Sequence, residues 1–109
     1  MTDNEISKAL ALAIGHTEHT FITASMCLVY TGNPHDRVQV NGKYWVYNHR
    51  VFDYRDWNVI GPIAERYDCF PYLDSMHKWD VMNLERYYSE DTPQKAIALA
   101  VIASQGETK

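Results

Sequence analysis

The residue types able to do chemistry are few and scattered along this chain. His16 and His19 stand three apart with Glu18 between them. On a helix that spacing would turn two ring nitrogens toward one metal ion. Gly15, however, ends the expected first helix just before them, and no third ligand is close in sequence. They read more simply as loop histidines, and His35, His49 and His77 stand singly, as loop or surface residues. Cys27 and Cys69 are the two cysteines. A nucleophilic thiol needs a base and a positive environment. Cys69 follows a helix end, where the dipole has the wrong sign, and Cys27 lies in an expected strand as a small buried hydrophobe. Asp53 and Asp56 flank Tyr54-Arg55, and Glu90-Asp91 lie beside the last helix. Paired-carboxylate catalysis requires a set separation, which nothing here imposes, and Asp56 and Asp91 have simple helix-start explanations. No Gly-rich phosphate loop, Walker pattern or dinucleotide fingerprint occurs. The expectation is a protein with no catalytic residue, no metal and no cofactor; a metal-assisted enzyme with a histidine/carboxylate site is the alternative.

Binding chemistry is better represented than catalytic chemistry. Eight tyrosines and three tryptophans are many for 109 residues. Most belong in a core or a half-buried sheet, but tyrosine and arginine at a surface are typical interface anchors. Tyr44, Tyr54, Arg55 and Tyr72 are the residues expected to meet a protein partner. The net charge of −4 argues against direct nucleic-acid binding, which needs a basic face. Charge mimicry of a nucleic acid is a weaker reading, because the fourteen carboxylates are spread along the chain.

The chain reads as a single domain over residues 1–109. A chain this long buries roughly two-thirds of its unfolded surface, enough for a core without staples. Its hydrophobic share of 46% and charged share of 22% are ordinary for a globular protein. The start, Met1-Thr2-Asp3-Asn4-Glu5, is polar and acidic, the opposite of a secretory n-region. A reducing cytosol and two free thiols are therefore expected. The apolar run Ala96–Ala103 has eight residues, against about twenty for a membrane span, so no membrane role is expected. Residues 104–109 read as a frayed tail.

The elements that must position these residues follow from local signals. Thr2-Asp3-Asn4-Glu5 is a capping box, Ile6, Leu10 and Ile14 with Ala9 and Ala13 form a helical stripe, and Gly15 is a stop. A strand follows within Thr23–Tyr30. Asn41-Gly42 between Arg37-Val38-Gln39-Val40 and Lys43-Tyr44-Trp45-Val46-Tyr47 is a hairpin turn signal. A two-residue turn would set Val40 opposite Lys43 and Val38 opposite Trp45, putting Val38, Val40, Trp45 and Tyr47 on the core face. On that register Trp45→Ala should cost about 3–5 kcal/mol. Val51–Tyr54 reads as a further extended piece. A second helix is expected over about residues 56–67 with an irregular first turn, because Pro62 lacks an amide hydrogen; Trp57, Ile60, Ile63, Ala64 and Tyr67 would share its buried face. One or two strands are expected in residues 72–90. Thr92-Pro93 opens the last helix, apolar on nearly all sides. The order implies an α+β fold, a small antiparallel sheet packed with about three helices.

Three blocks carry a likeness: Ile6-Ser7-Lys8-Ala9-Leu10-Ala11-Leu12-Ala13-Ile14-Gly15, the aromatic and charged segment from Arg50 to Tyr72, and Ala96-Ile97-Ala98-Leu99-Ala100-Val101-Ile102. In these the chain resembles small proteins of enterobacterial phages and prophages assigned an alpha–beta–alpha sandwich. The resemblance implies that fold and a short accessory product acting inside the bacterial host. The absent catalytic signatures, the acidic charge and the aromatic, charge-rich middle lead us to expect a non-enzymatic module that binds a host or phage protein, and the resemblance adds, by origin, inhibition of host defence, as by anti-CRISPR proteins. The resemblance transfers no active residue.

Overall fold

The computed structural model describes residues 2–16, 21–22, 26–83 and 86–107. Helix α1 spans Asp3–Ala13 and begins as its capping box demands: the Thr2 hydroxyl accepts from the Glu5 amide at 3.2 Å. It ends in a Schellman turn. Gly15 takes φ +109°, while the His16 amide donates to the Ala11 carbonyl at 3.0 Å and the Gly15 amide to the Leu12 carbonyl at 3.3 Å. The buried stripe is Ile6, Ser7, Leu10 and Ala11. Ser7 is tolerated there because its Oγ accepts the Tyr54 amide at 3.1 Å.

Among the described residues eight short strands form three antiparallel sheets. The first has the order β1 (Phe21–Ile22), β2 (Cys27–Tyr30), β5 (His49–Val51). The expected extended piece at Val51–Tyr54 therefore lies slightly upstream, and the Phe52 amide prolongs the pairing by donating to the Cys27 carbonyl at 2.8 Å. The second is the hairpin of β3 (Arg37–Val40) and β4 (Tyr44–Tyr47). The third joins β6 (Tyr72–Leu73), β7 (Trp79–Asn83) and β8 (Arg86–Glu90), one strand more than the sequence led us to expect.

The hairpin corrects the expected register. Asn41 and Gly42 take φ of 56° and 66°, and the Lys43 amide donates to the Val40 carbonyl at 3.1 Å, so the Asn-Gly turn forms. Lys43 stays in the loop, however, and the ladder pairs Val40 with Tyr44, Val38 with Val46, Gln39 with Trp45 and Arg37 with Tyr47. One extra loop residue moves every β4 side chain to the other face. Val38, Val40 and Val46 turn inward and Val40 is buried, whereas Trp45 is 47% exposed and Tyr47 is exposed. Trp45 is not a core residue.

Helix α2 spans Trp57–Tyr67, with Asp56 accepting the Asn58 amide at 2.9 Å as its cap. It buries Ile60, Ile63 and Ala64, but Trp57 lies outward. Pro62 sits inside the helix, and it cannot donate to the Asn58 carbonyl. A second Schellman turn closes α2 on Asp68, at φ 55° and ψ 44°. Helix α3 spans Pro93–Glu107, capped by the Thr92 hydroxyl, which accepts the Lys95 amide at 3.3 Å. The helix runs through residues 104–107, and Ser104 is buried.

The three helices and small antiparallel sheets make an α+β fold in which helices and sheets are layered. α3 packs against β7, β8, α1 and α2, and α1 in turn lies against β1 and β2. Ala96, Ala98 and Ala100 of α3 are fully buried, and these small side chains let its neighbours approach. The β3–β4 hairpin meets the body through β5. Among the described residues no helix is long and apolar enough to cross a membrane.

Candidate functional site

A cleft of about 760 Å³ lies where the hairpin, the β2–β5 sheet, the end of α1 and one side of α2 converge. That volume lies in the ordinary range for ligand and anchor sites. Each element brings a side chain for a local reason. The Schellman turn at Gly15 directs His16 toward Phe52, whose ring it meets edge-on at 5.7 Å. Val59, Pro62 and Ile63 follow helical spacing and form the α2 wall. Val29 and Val51 come from paired strands. The observed hairpin register brings Arg37, Gln39 and Trp45 to one face, and all three line the cleft. The walls are predominantly apolar, with a few polar groups at defined places.

Those polar groups differ in how they are satisfied. The Arg50 guanidinium donates to Asp36 at 2.9 Å. The Thr31 hydroxyl and Arg50 hold the Asp36 carboxyl below its ordinary range. Asp56 is engaged at the cap of α2. Burial lowers the His16 pKa, so its imidazole is neutral at pH 7. Arg37 stacks its guanidinium over the Trp45 ring at 4.9 Å. Among the described residues no carboxylate forms an ion pair with Arg37.

The four residues expected to meet a partner belong to different elements, and none is among the described residues lining this cleft. Tyr44 is 55% exposed at the start of β4, and Tyr72 is 44% exposed on β6. Tyr54 is 2% exposed and its hydroxyl donates to Asp3 Oδ1 at 2.5 Å; with Arg55 it lines a smaller cleft of about 360 Å³ beside the start of α3. Burial, and next the Asp3 bond, push the Tyr54 phenol well above its ordinary pKa. Arg55 is exposed and clamps Asp3 at 3.1 Å and Asp53 at 2.9 Å. Arg55 in turn holds the Asp53 carboxyl below its ordinary range. Tyr54 and Arg55 therefore tie the segment before α2 to the start of α1.

The chemical candidates are placed as follows. His16 is half-buried at the cleft, while Glu18 and His19 lie outside the described residues. Among the described residues no group of three His, Cys, Asp or Glu side chains is arranged to hold a metal ion. Asp53 pairs with Arg55, Asp56 caps α2, Asp91 pairs with Lys78 and Glu90 lies 3.7 Å from Lys95. Cys27 and Cys69 are buried free thiols, and burial raises both pKa values, leaving them protonated at neutral pH. His49 is half-buried in β5, edge-on to Tyr30 at 5.5 Å, and His35 and His77 are exposed. The residues that sequence reasoning missed are Arg37, Trp45, Val59 and Pro62. Their shared position depends on hairpin register and helix placement, which no local motif signals. Comparisons with protein-family models, curated proteins and solved structures returned no match to this chain.

Proposed function

We propose that this protein is a non-enzymatic binding module that engages another protein through the cleft beside the β3–β4 hairpin. The observation that carries this reading is the apolar cleft rimmed by Trp45, an exposed tryptophan stacked with an arginine. Tryptophan and arginine are the commonest anchors of protein interfaces, and a monomer keeps such groups exposed at a recognition site more often than elsewhere. Tyr47, exposed on the same hairpin face as Trp45, extends the aromatic surface. The resemblance to phage and prophage accessory proteins supplies the setting: the bacterial host cytoplasm, with a host or phage protein as partner and inhibition of host defence, such as CRISPR immunity, as the role.

The test is capture from lysate of the bacterial host with immobilised protein. Wild type should retain one partner in stoichiometric amount, and Trp45→Ala, which leaves the core intact, should lose it. Failure of folded wild type to retain any protein, across host lysates, would sink the proposal.

A further inference from the structure

Resting on that binding reading, we infer that the cleft takes a partner segment in which an apolar anchor residue lies next to a carboxylate, with Arg37 as the carboxylate's receptor. The argument starts from Trp45. Its ring forms part of the cleft wall, and the Arg37 guanidinium lies over that ring at 4.9 Å. A segment that covers Trp45 therefore covers Arg37 as well. Taking a guanidinium out of water without an acceptor is expensive, so an entirely apolar occupant would forfeit much of what it gains from the walls. A carboxylate supplies the missing acceptor, and guanidinium–carboxylate pairing is geometrically specific.

The other ionised groups at the cleft do not offer the same demand. Arg50 already has Asp36 at 2.9 Å, and Asp56 is bonded to the Asn58 amide at 2.9 Å. The unmet charge is thus the cation of Arg37, in a protein whose net charge is −4. A lysine- or arginine-bearing segment would meet repulsion at Arg37, while the Asp56 carboxylate at the cleft is engaged at the α2 cap. The apolar part of the occupant has Val51, Val59, Pro62 and Ile63 to pack against.

The experiment is selection of a random heptapeptide library, displayed on yeast, against three immobilised proteins: wild type, Arg37→Gln and Trp45→Ala. Arg37 and Trp45 are exposed, and urea denaturation checks that each variant stays folded. Wild type should enrich peptides that place Asp or Glu within two positions of Phe, Trp, Leu or Ile. Arg37→Gln should bind the enriched peptides roughly tenfold more weakly and should select apolar residues without the acidic neighbour. Trp45→Ala should lose both preferences. Apolar selection with no acidic bias, or an acidic bias that survives Arg37→Gln, overturns the inference while leaving the binding reading standing. Enrichment indifferent to Trp45→Ala puts the binding site elsewhere and overturns both the occupant and its location. No enrichment of any peptide by wild type counts against the inference, and lysate capture then decides the broader reading separately.

Discussion

Replacing Tyr54 by phenylalanine isolates one bond that holds two distant parts of the chain together. The ring is buried at 2% exposure, and its hydroxyl donates to Asp3 Oδ1 at 2.5 Å across 51 residues. Phenylalanine keeps the ring's packing and removes the donor. A hydrogen bond to a charged group contributes about 1.5–3 kcal/mol. The Asp3 side chain is 52% exposed, so water can satisfy its freed oxygen, and the Arg55 contact at 3.1 Å remains. The expected loss is therefore at the lower end, about 1–2 kcal/mol. For a domain of this size that lowers Tm by about 4–8 °C. Tyr54→Ala, which also empties the core, should cost about 3–5 kcal/mol. Urea denaturation and calorimetry at pH 7 give both values. A pH arm sharpens the test. The folded phenol titrates above its unfolded value, so its contribution is complete below about pH 10 and is lost as pH rises beyond it. Wild type should lose stability above about pH 10 faster than Tyr54→Phe. A Tyr54→Phe variant as stable as wild type at pH 7, with the same alkaline profile, would refute the assignment of this bond.

Trp45→Ala should cost about 1 kcal/mol or less, the loss of one exposed cation–π contact and partial burial, whereas the core placement read from the sequence would require about 3–5 kcal/mol; urea denaturation separates the two. Asp68→Gly should stabilise by about 0.5–1 kcal/mol, because Asp68 holds a left-handed conformation at a helix end and also places a negative charge at the dipole's negative pole. Asp68→Ala should be the less stable of the two, and the reverse order would contradict the Schellman geometry. His16 has a folded pKa below its unfolded one, so its share of stability is present above about pH 6.5 and is lost as pH falls toward the folded value. His16→Gln should flatten that part of the acid profile, measured as Tm against pH, and an unchanged slope would remove His16 from it.

The helix ends were legible in the amino-acid order. Thr2, Gly15, Asp56 and Thr92 each act on amides or carbonyls within a few residues, and the structure puts all four to that use. The positive φ of Asn41 and Gly42 was equally readable. The pairing beyond that turn was not, because keeping Lys43 in the loop changes no local preference yet reverses the faces of Trp45 and Tyr47. In the same way Tyr54 and Tyr44 are both tyrosines beside charged or polar neighbours. Only contact with Asp3 and Ser7, 51 and 47 residues away, makes the first a core residue, while Tyr44 ends a hairpin that touches the body through β5 and stays exposed. The cleft belongs to this second kind of fact. Its walls come from α1, three strand-bearing segments and α2, and each wall looks unremarkable alone. Caps and turns are set by hydrogen bonds that close within one turn of chain. Register, burial and concavity arise where separate segments meet, and there the deciding energy is the area and polar pairing that the packed arrangement alone can offer.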